Sequence, residues 1–238
     1  PEFRNALGPE MYAAGVEALN VAERSPDVRS VVITGSGPWF CAGGNLQRLQ
    51  ANRRQPPAVQ ADSIEGLHTW IEAIRLFPKP ILAAVEGAAA GAGFSLALAC
   101  DFVLAARDAQ FVMAYSTIGL SPDGGGSWSL ARALPRQLVP ELLMFGNRIS
   151  ASALQQHGLV NHVSEPGQAL QDALEWAERL NARAPNALAS IKDLINEAGQ
   201  DTLTHHLELE RDHFVRNLHH VNAGIGIEAF LNKTTPRY

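Results

Sequence analysis

Residues 87–93 are all glycine or alanine, and they connect two apolar segments of the chain. The segment before them, residues 81–85, predicts a buried strand, and the segment after them, residues 91–100, predicts a fully buried helix. A helix begins with backbone N–H groups that lack intrahelical acceptors, and small side chains leave these groups accessible to another molecule. The pattern therefore indicates a site that stabilises a negatively charged oxygen. The alternative is that the small residues only allow the helix to pack closely on the strand.

A second segment of small residues, Ala42-Gly43-Gly44, follows another predicted strand end and offers further accessible amides. Asp123 lies in a glycine-rich turn before a predicted helix, which fits either a chemical role or a helix N-cap. His68 lies on a predicted amphipathic helix, residues 63–76, and a helical histidine beside apolar positions more often has a structural or exposed role. Cys41 is interpreted as a packing residue, because its motif holds no histidine that would lower the pKa of the thiol.

The composition excludes several kinds of partner and environment. With 238 residues, 46% of them hydrophobic, the chain can bury a large core as one domain, with or without a helical appendage. The net charge of −5 argues against nucleic acid and anionic membranes as partners. No apolar run approaches the roughly 20 residues of a membrane helix, the two cysteines form no CxxC motif, and the first residues do not resemble a signal peptide. We therefore expect a cytoplasmic enzyme or binding protein.

Around these segments, the first part of the chain predicts alternating strands and helices, and the last part predicts helices only. The remaining predicted strands are residues 28–34, 102–106, 111–114 and 159–163, and predicted helices begin near Pro9, Ser127 and Ser150. Residues 52–61, with Gln, Pro and Arg, predict a mobile loop. We expect an α/β fold with a core of residues 1–166 and a helical region of residues 167–238. The apolar positions of that region must cover a core or an interface.

Five segments occur in an order and spacing that resemble the crotonase superfamily, the enoyl-CoA hydratase/isomerase family. They are residues 40–46, 79–101, 119–126, 146–151 and 158–160. The resemblance implies a crotonase-like spiral of ββα turns followed by a C-terminal helical trimerisation region. It also implies an acyl-CoA thioester as substrate, a homotrimer or a hexamer of two trimers, and no metal or redox cofactor. In the family a β-hairpin usually precedes the Arg-Asn-Ala-Leu segment, and this sequence starts at that segment.

The resemblance assigns the oxyanion hole to the backbone amides of Gly44 and Ala92. Such donors stabilise the negative charge that develops on a thioester carbonyl oxygen. Hydratases of the family hold and activate water with two glutamates, and these positions fall here on Ser95 and Tyr115. Neither residue supplies a group that titrates near neutrality. The sequence therefore argues against enoyl-CoA hydration by the usual family mechanism.

The resemblance instead gives the acid/base role to Asp123, in the segment Pro122-Asp123-Gly124-Gly125. This segment is most similar to the Pro-Asp-x-Gly-Gly motif of ring-epoxide isomerases of phenylacetate breakdown, and dienoyl-CoA isomerases also use an aspartate here. A 4-chlorobenzoyl-CoA dehalogenase uses the aspartate as a nucleophile, with a histidine base about where His68 falls. We predict a double-bond or ring isomerase. The alternatives are dehalogenase- or thioesterase-like hydrolysis with Asp123 as nucleophile and His68 as base, hydration by an atypical site, and an idle homologue that binds CoA esters.

The same resemblance assigns further residues to substrate binding. Arg4 is the candidate for contact with the CoA phosphates, and Lys233 is a second one, from the same or a neighbouring chain. The other substrate-binding candidates are Ala6, Leu7, Ala42, Asn45, Leu46, Tyr115 and Pro122. The late histidines occur without an HExxH motif, so we expect a solvated or interface face rather than a metal site.

Overall fold

The computed structural model describes residues 3–199 and 201–238, and these residues form two small sheets surrounded by helices. The helices are α1 (Pro9–Arg24), α2 (Leu46–Asn52), α3 (Pro57–Leu76), α4 (Ala92–Ala99), α5 (Gly126–Ala133), α6 (Leu138–Met144), α7 (Ala151–Gln156), α8 (Ala169–Asn181), α9 (Pro185–Ala198), α10 (Leu203–Leu218) and α11 (Val221–Leu231). The strands are β1 (Val31–Thr34), β2 (Ile81–Val85), β3 (Ala88–Ala90), β4 (Phe102–Ala106), β5 (Gln110–Val112), β6 (Arg148–Ser150) and β7 (His162–Ser164). Within the described ranges, no helix combines the length and the apolar character that crossing a membrane requires.

The main sheet consists of four parallel strands in the order β1-β2-β4-β7. Every residue of β2 is buried, and Leu82 of this strand pairs with Phe102 of β4. A parallel strand that is covered on both faces needs apolar side chains on both, which explains the uninterrupted apolar run of β2. Helix α8 covers one face, where its alanines pack on Leu82, Ala84 and Leu104. The main hydrophobic core, which includes residues of α1, α3 and α4, lies on the other face.

After each of the two central strands of the main sheet, β2 and β4, the chain enters a strand of a second sheet, β3 and β5. Its order is β3-β5-β6, with β3 parallel to β5 and β5 antiparallel to β6. Gly87 connects β2 to β3 with a φ of +61°, and a Cβ at this residue would lie 2.2 Å from the carbonyl oxygen of Pro38. This turn therefore requires glycine. Helix α4 follows β3 and helix α5 follows β5, so the chain repeats strand, strand and helix, which confirms the predicted α/β class.

A charged pair connects the helical C-terminal part to the end of α4. The Lys192 Nζ of α9 donates to Asp101 Oδ2 over 2.8 Å and to the carbonyl oxygen of Ile74 over 3.0 Å. The same Asp101 oxygen accepts the backbone N–H of Ile81. Burial raises the pKa of the Asp101 carboxyl, and the ammonium of Lys192 acts in the opposite direction. The ammonium of Lys192 therefore compensates the charge of the Asp101 carboxylate, which is partly removed from water where α9 packs.

The structure differs from the sequence prediction at several places. The glycine-alanine stretch contains a strand, β3, because pairing with β5 satisfies its backbone groups. Most of residues 52–61 are not a loop, since α3 already begins at Pro57, where proline suits the first helical turn. The first strand is shorter than predicted, Val31–Thr34, and the last strand is shifted toward later residues, to His162–Ser164. The division of the chain at residue 166 stays a prediction, and α8 lies directly on the main sheet.

The substitution Lys192→Met tests the contribution of the charged pair to stability. It leaves the Asp101 carboxylate, whose side chain is 23% exposed, without its cationic partner. We expect the free energy of unfolding to fall by about 2 kcal/mol, measured by urea denaturation. Lys233→Met, which removes a solvent-exposed lysine, is the matched control and should change it by less than about 0.5 kcal/mol. Equal effects of the two variants would show that the pair does not stabilise the fold.

Candidate active site

A cavity of about 430 Å³ brings together the residues that the sequence assigned to catalysis. Gly44, Ala92, His68 and Asp123 all line it. Most of the predicted substrate-binding residues line it as well, namely Leu7, Ala42, Asn45, Leu46, Tyr115 and Pro122. Arg4, Ala6 and Lys233 are not part of the cavity wall in the described chain. The geometry therefore supports a single site that is built from α2, α3, the two small-residue segments and the loop before α5.

The two small-residue segments lie side by side because their backbones pair. The Cys41 N–H donates to the carbonyl oxygen of Ala88 over 3.0 Å, and the Ala90 N–H donates to the Cys41 carbonyl oxygen over 2.9 Å. Gly43 has a φ of +86°, and a Cβ there would lie 2.6 Å from the carbonyl oxygen of Ala90. A larger residue at this position would separate the segments, so glycine is needed for their close approach.

The amides of Gly44 and Ala92 are available to a ligand. Among the described residues, neither N–H donates a hydrogen bond to a protein acceptor, although the flanking residues do pair, for example the Asn45 N–H with the Leu7 carbonyl oxygen. Ala92 is the first residue of α4, where a helical N–H has no intrahelical acceptor and carries partial positive charge. Gly91 precedes it with a φ of +51°, which turns the chain into the helix. Both amides line the cavity and suit an oxyanion.

Two hydrogen bonds hold Asp123 in the wall of the same cavity. The Tyr115 hydroxyl donates to Asp123 Oδ1 over 2.5 Å, and the Ser95 hydroxyl donates to the Asp123 carbonyl oxygen over 2.9 Å. The loop can approach Ser95 closely because residue 126 is glycine, since a Cβ at Gly126 would lie 2.6 Å from Ser95 Oγ. Sequence reasoning missed this role of Ser95 and Tyr115. The available signal was that these two residues replace the glutamates of the hydratase pattern.

In the pair of Tyr115 and Asp123, the tyrosine stays protonated and donates a hydrogen bond, and one oxygen of the carboxylate has no donor. Burial raises the pKa of Tyr115 above its ordinary value, and the nearby Asp123 carboxylate raises it further. The phenol therefore stays protonated at neutral pH and can donate to Oδ1. Among the described residues, no group donates to the second oxygen of Asp123, Oδ2. This oxygen is available to exchange a proton with a molecule in the cavity.

His68 reaches the cavity from α3 but does not contact Asp123 through a hydrogen bond. Its side chain is 44% exposed, and its Nδ1 lies 3.8 Å from Glu65 Oε2 on the same helix. In the described chain, no hydrogen bond connects the imidazole to the loop that carries Asp123. The structure therefore places His68 in the site without orienting it toward the aspartate.

Cys41 has the packing role that its sequence context indicates. The thiol is buried and donates to the carbonyl oxygen of Asn5 over 3.2 Å, and it accepts the N–H of Gly43 over 3.4 Å. Burial raises the pKa of the thiol to about 11, so it is neutral and a poor nucleophile at pH 7. Its small size matters instead, because a Cβ at Gly93 would already lie 2.6 Å from the Cys41 Cβ.

The predicted phosphate contacts do not form part of this cavity. The Arg4 guanidinium lies over the Trp39 ring, 5.0 Å from the ring centroid. Lys233 follows α11 on the surface. Arg48 is the cation that lines the cavity, and it pairs with Glu10 over 3.1 Å. The role of Arg4 and Lys233 in binding CoA stays a prediction.

Comparisons with known proteins agree with this geometry. The family profile described as enoyl-CoA hydratase/isomerase matches residues 1–238. The 1,2-epoxyphenylacetyl-CoA isomerase of Escherichia coli K12 is 36% identical over 239 residues, which cover 100% of this chain and 91% of the relative. The 2,3-dehydroadipyl-CoA hydratase of the same organism is 33% identical over 238 residues, with 100% and 91% covered. A crystal structure of an enoyl-CoA hydratase from Polaromonas sp. JS666 is 73% identical, with a TM-score of 0.99 and 100% and 93% of the two chains covered.

Proposed function

The chain belongs to the enoyl-CoA hydratase/isomerase family of crotonase-type enzymes, and we propose that it isomerises the acyl group of an acyl-CoA thioester. The observation that carries this proposal is the arrangement of one held carboxylate, Asp123, in the same cavity as the free amides of Gly44 and Ala92. Relatives with isomerase names and relatives with hydratase names both match the full chain. The choice between these reactions therefore rests on the groups in the cavity.

The two amides account for activation of the thioester. In the proposed complex, the carbonyl oxygen of the thioester accepts hydrogen bonds from the N–H groups of Gly44 and Ala92. When the α-carbon loses a proton, its electron pair forms the carbon–carbon double bond of an enolate, and the negative charge moves to this oxygen. Preorganised donors of this kind contribute roughly 3–4 kcal/mol each to the stability of such a state.

Asp123 accounts for the transfer of the proton. Its free Oδ2 takes the proton from one carbon of the acyl group and returns it to another carbon, while the double bond shifts or the ring rearranges. Tyr115 holds Oδ1 throughout, so the carboxylate keeps its orientation in both protonation states. The proton, the enolate charge and the double bond all stay within the substrate and the protein. The proposed chemistry therefore uses no metal and no redox cofactor.

The positions of Ser95 and Tyr115 argue against hydration as the main reaction. Adding water to a double bond requires groups that bind the water and remove its proton, and two carboxylates do this in hydratases of the family. Here the two corresponding side chains are bonded to Asp123 instead. They are occupied in holding the acid/base group and do not supply a second base.

A second candidate function is hydrolysis through a covalent ester on Asp123. The presence of His68 in the cavity wall favours it, because a base must activate the water that breaks such an ester. Tyr115 argues against it, since its hydrogen bond to Asp123 withdraws electron density from the carboxylate that must attack. We therefore rank hydrolysis below isomerisation.

We also propose that the chain assembles into a homotrimer or a hexamer of two trimers. The C-terminal helices α10 and α11 expose large apolar side chains in the single chain, including Phe214 at 69%, Phe230 at 84% and Leu231 at 74% exposure. Exposed apolar area of this extent at the end of a chain is typical of an interface between subunits.

The variant Asp123→Asn tests the proposed reaction. The amide keeps the shape of the side chain and cannot carry the proton. We expect turnover of 3-enoyl-CoA esters to fall about 10³-fold, while the Kd for the CoA ester changes little. In heavy water the wild-type enzyme should introduce deuterium at the α- or γ-carbon of the substrate, which mass spectrometry detects.

The matched control for this test is Asp108→Asn, which changes an exposed aspartate between β4 and β5. It should retain wild-type turnover. A covalent adduct on Asp123 after rapid quenching, without deuterium in the substrate, would favour hydrolysis. Full activity of Asp123→Asn would contradict both readings.

The proposed assembly predicts a mass of three or six times the chain mass of 25.6 kDa in light scattering at micromolar concentration. Phe230→Glu places a charge in the apolar face and should shift the population toward smaller species. Val21→Glu changes an exposed valine of α1, 60% exposed, and is the matched control. A monodisperse monomer of the wild-type chain would contradict the assembly.

A further inference from the structure

The side chain of Tyr12 enters the cavity from α1 and takes no part in the machinery described above. Tyr12 lines the same cavity as Asp123, and only 7% of the residue is exposed. The helical pattern of α1 gave no sign of this role, because Tyr12 occupies a position of the buried face of an amphipathic helix. Unlike an ordinary core residue, Tyr12 forms part of the wall of the cavity.

The packing of α1 against α3 fixes the orientation of the Tyr12 ring. The ring packs on Trp70 of α3, with 6.5 Å between the ring centroids. A Cβ at Gly66 of α3 would lie 3.4 Å from Tyr12 Cδ2, which is van der Waals distance, so the ring lies close to the backbone of α3. Trp70 in turn fits against Gly15 of α1, where a Cβ would lie 2.2 Å from the indole. The phenol is therefore held rigidly at the wall of the cavity.

The hydroxyl of Tyr12 has no hydrogen-bond partner among the described residues, which distinguishes it from Tyr115. Burial raises the pKa of Tyr12 to about 12, and the Asp123 carboxylate is the next largest cause. The hydroxyl is therefore protonated at neutral pH, lies close enough to Asp123 to feel its charge, and can donate a hydrogen bond. The hydroxyl is not enclosed by protein atoms, so it is accessible from the cavity and can donate to an acceptor that binds there.

We propose that Tyr12 donates a hydrogen bond to an oxygen atom of the acyl group, so that the site selects acyl-CoA esters with a hydroxyl, carbonyl or epoxide oxygen near the carbon that Asp123 serves. This inference rests on the proposed function, because it takes the cavity as the acyl site. The thioester oxygen is already assigned to Gly44 and Ala92, so the acceptor is a second oxygen. Leu49 and Ile64 line the same cavity and supply apolar surface that suits the carbon skeleton.

Binding of two matched esters tests the role of Tyr12 without requiring turnover. The probes are 2-hydroxyphenylacetyl-CoA and phenylacetyl-CoA, which differ by one oxygen, and the readout is the ratio of their Kd values by calorimetry. We expect the wild-type protein to bind the hydroxylated ester about tenfold more tightly. In Tyr12→Phe, which keeps the ring packing, this ratio should fall to about one. Tyr238→Phe, which removes the hydroxyl of a tyrosine outside the cavity wall, is the matched control and should keep the wild-type ratio.

The outcomes separate this inference from the proposed function. A wild-type ratio near one, or a tenfold ratio that persists in Tyr12→Phe, would overturn the role of Tyr12. If Tyr12→Phe does not fold, the ratio of the wild-type protein alone still tests the role, because a ratio near one would overturn it. Deuterium exchange at the α-carbon of phenylacetyl-CoA in heavy water is measured separately on the wild-type protein. Its absence, together with a normal Kd ratio, would overturn the proposed function and leave the role of Tyr12 in binding intact.

Discussion

The hydrogen bond from Tyr115 to Asp123 is the interaction on which the rest of the site depends. It joins the segment after β5 to the loop before α5, while Ser95 of α4 binds the backbone of the same aspartate. Three consecutive parts of the repeated strand, strand and helix pattern therefore meet at one residue, Asp123. The same helix, α4, presents the Ala92 amide at its first residue. The proposed acid/base group and one half of the proposed oxyanion hole thus share one rigid support, α4.

The proposed reaction needs one carboxylate, and this arrangement supplies one. Among the described residues that line the cavity, Asp123 is the one carboxylate, because serine and tyrosine occupy the positions of the family's two glutamates. Two carboxylates can bind and polarise a water molecule between them, whereas one held carboxylate is suited to moving a proton between two carbons of the same substrate. The neutral hydroxyls avoid the repulsion of further negative charges beside Asp123 and beside the enolate of the proposed reaction.

Much of the fold and of the site could be predicted from the sequence, and the failures have physical reasons. The motifs around Gly44, Ala92 and Asp123 predicted residues that line one cavity, because backbone turns with positive φ restrict the sequence locally. Strand β3 was missed because Ala88-Ala89-Ala90 has no β propensity and is extended only through pairing with β5. The packing of the Arg4 guanidinium on Trp39 is a contact that a single sequence does not show, and its role in phosphate binding stays a prediction. The proposed roles of Tyr12 and Ser95 likewise depend on contacts between distant segments.

The central claim, that Tyr115 acts in the reaction by holding Asp123, is tested most directly by a double-mutant cycle. The rate of deuterium exchange into the substrate is measured for the wild-type enzyme, Tyr115→Phe, Asp123→Asn and the double variant. If Tyr115 acts through Asp123, Tyr115→Phe lowers the rate about tenfold in the wild-type background and has no further effect once Asp123 is asparagine. The same tenfold loss in both backgrounds would show that Tyr115 acts independently, and would contradict this account.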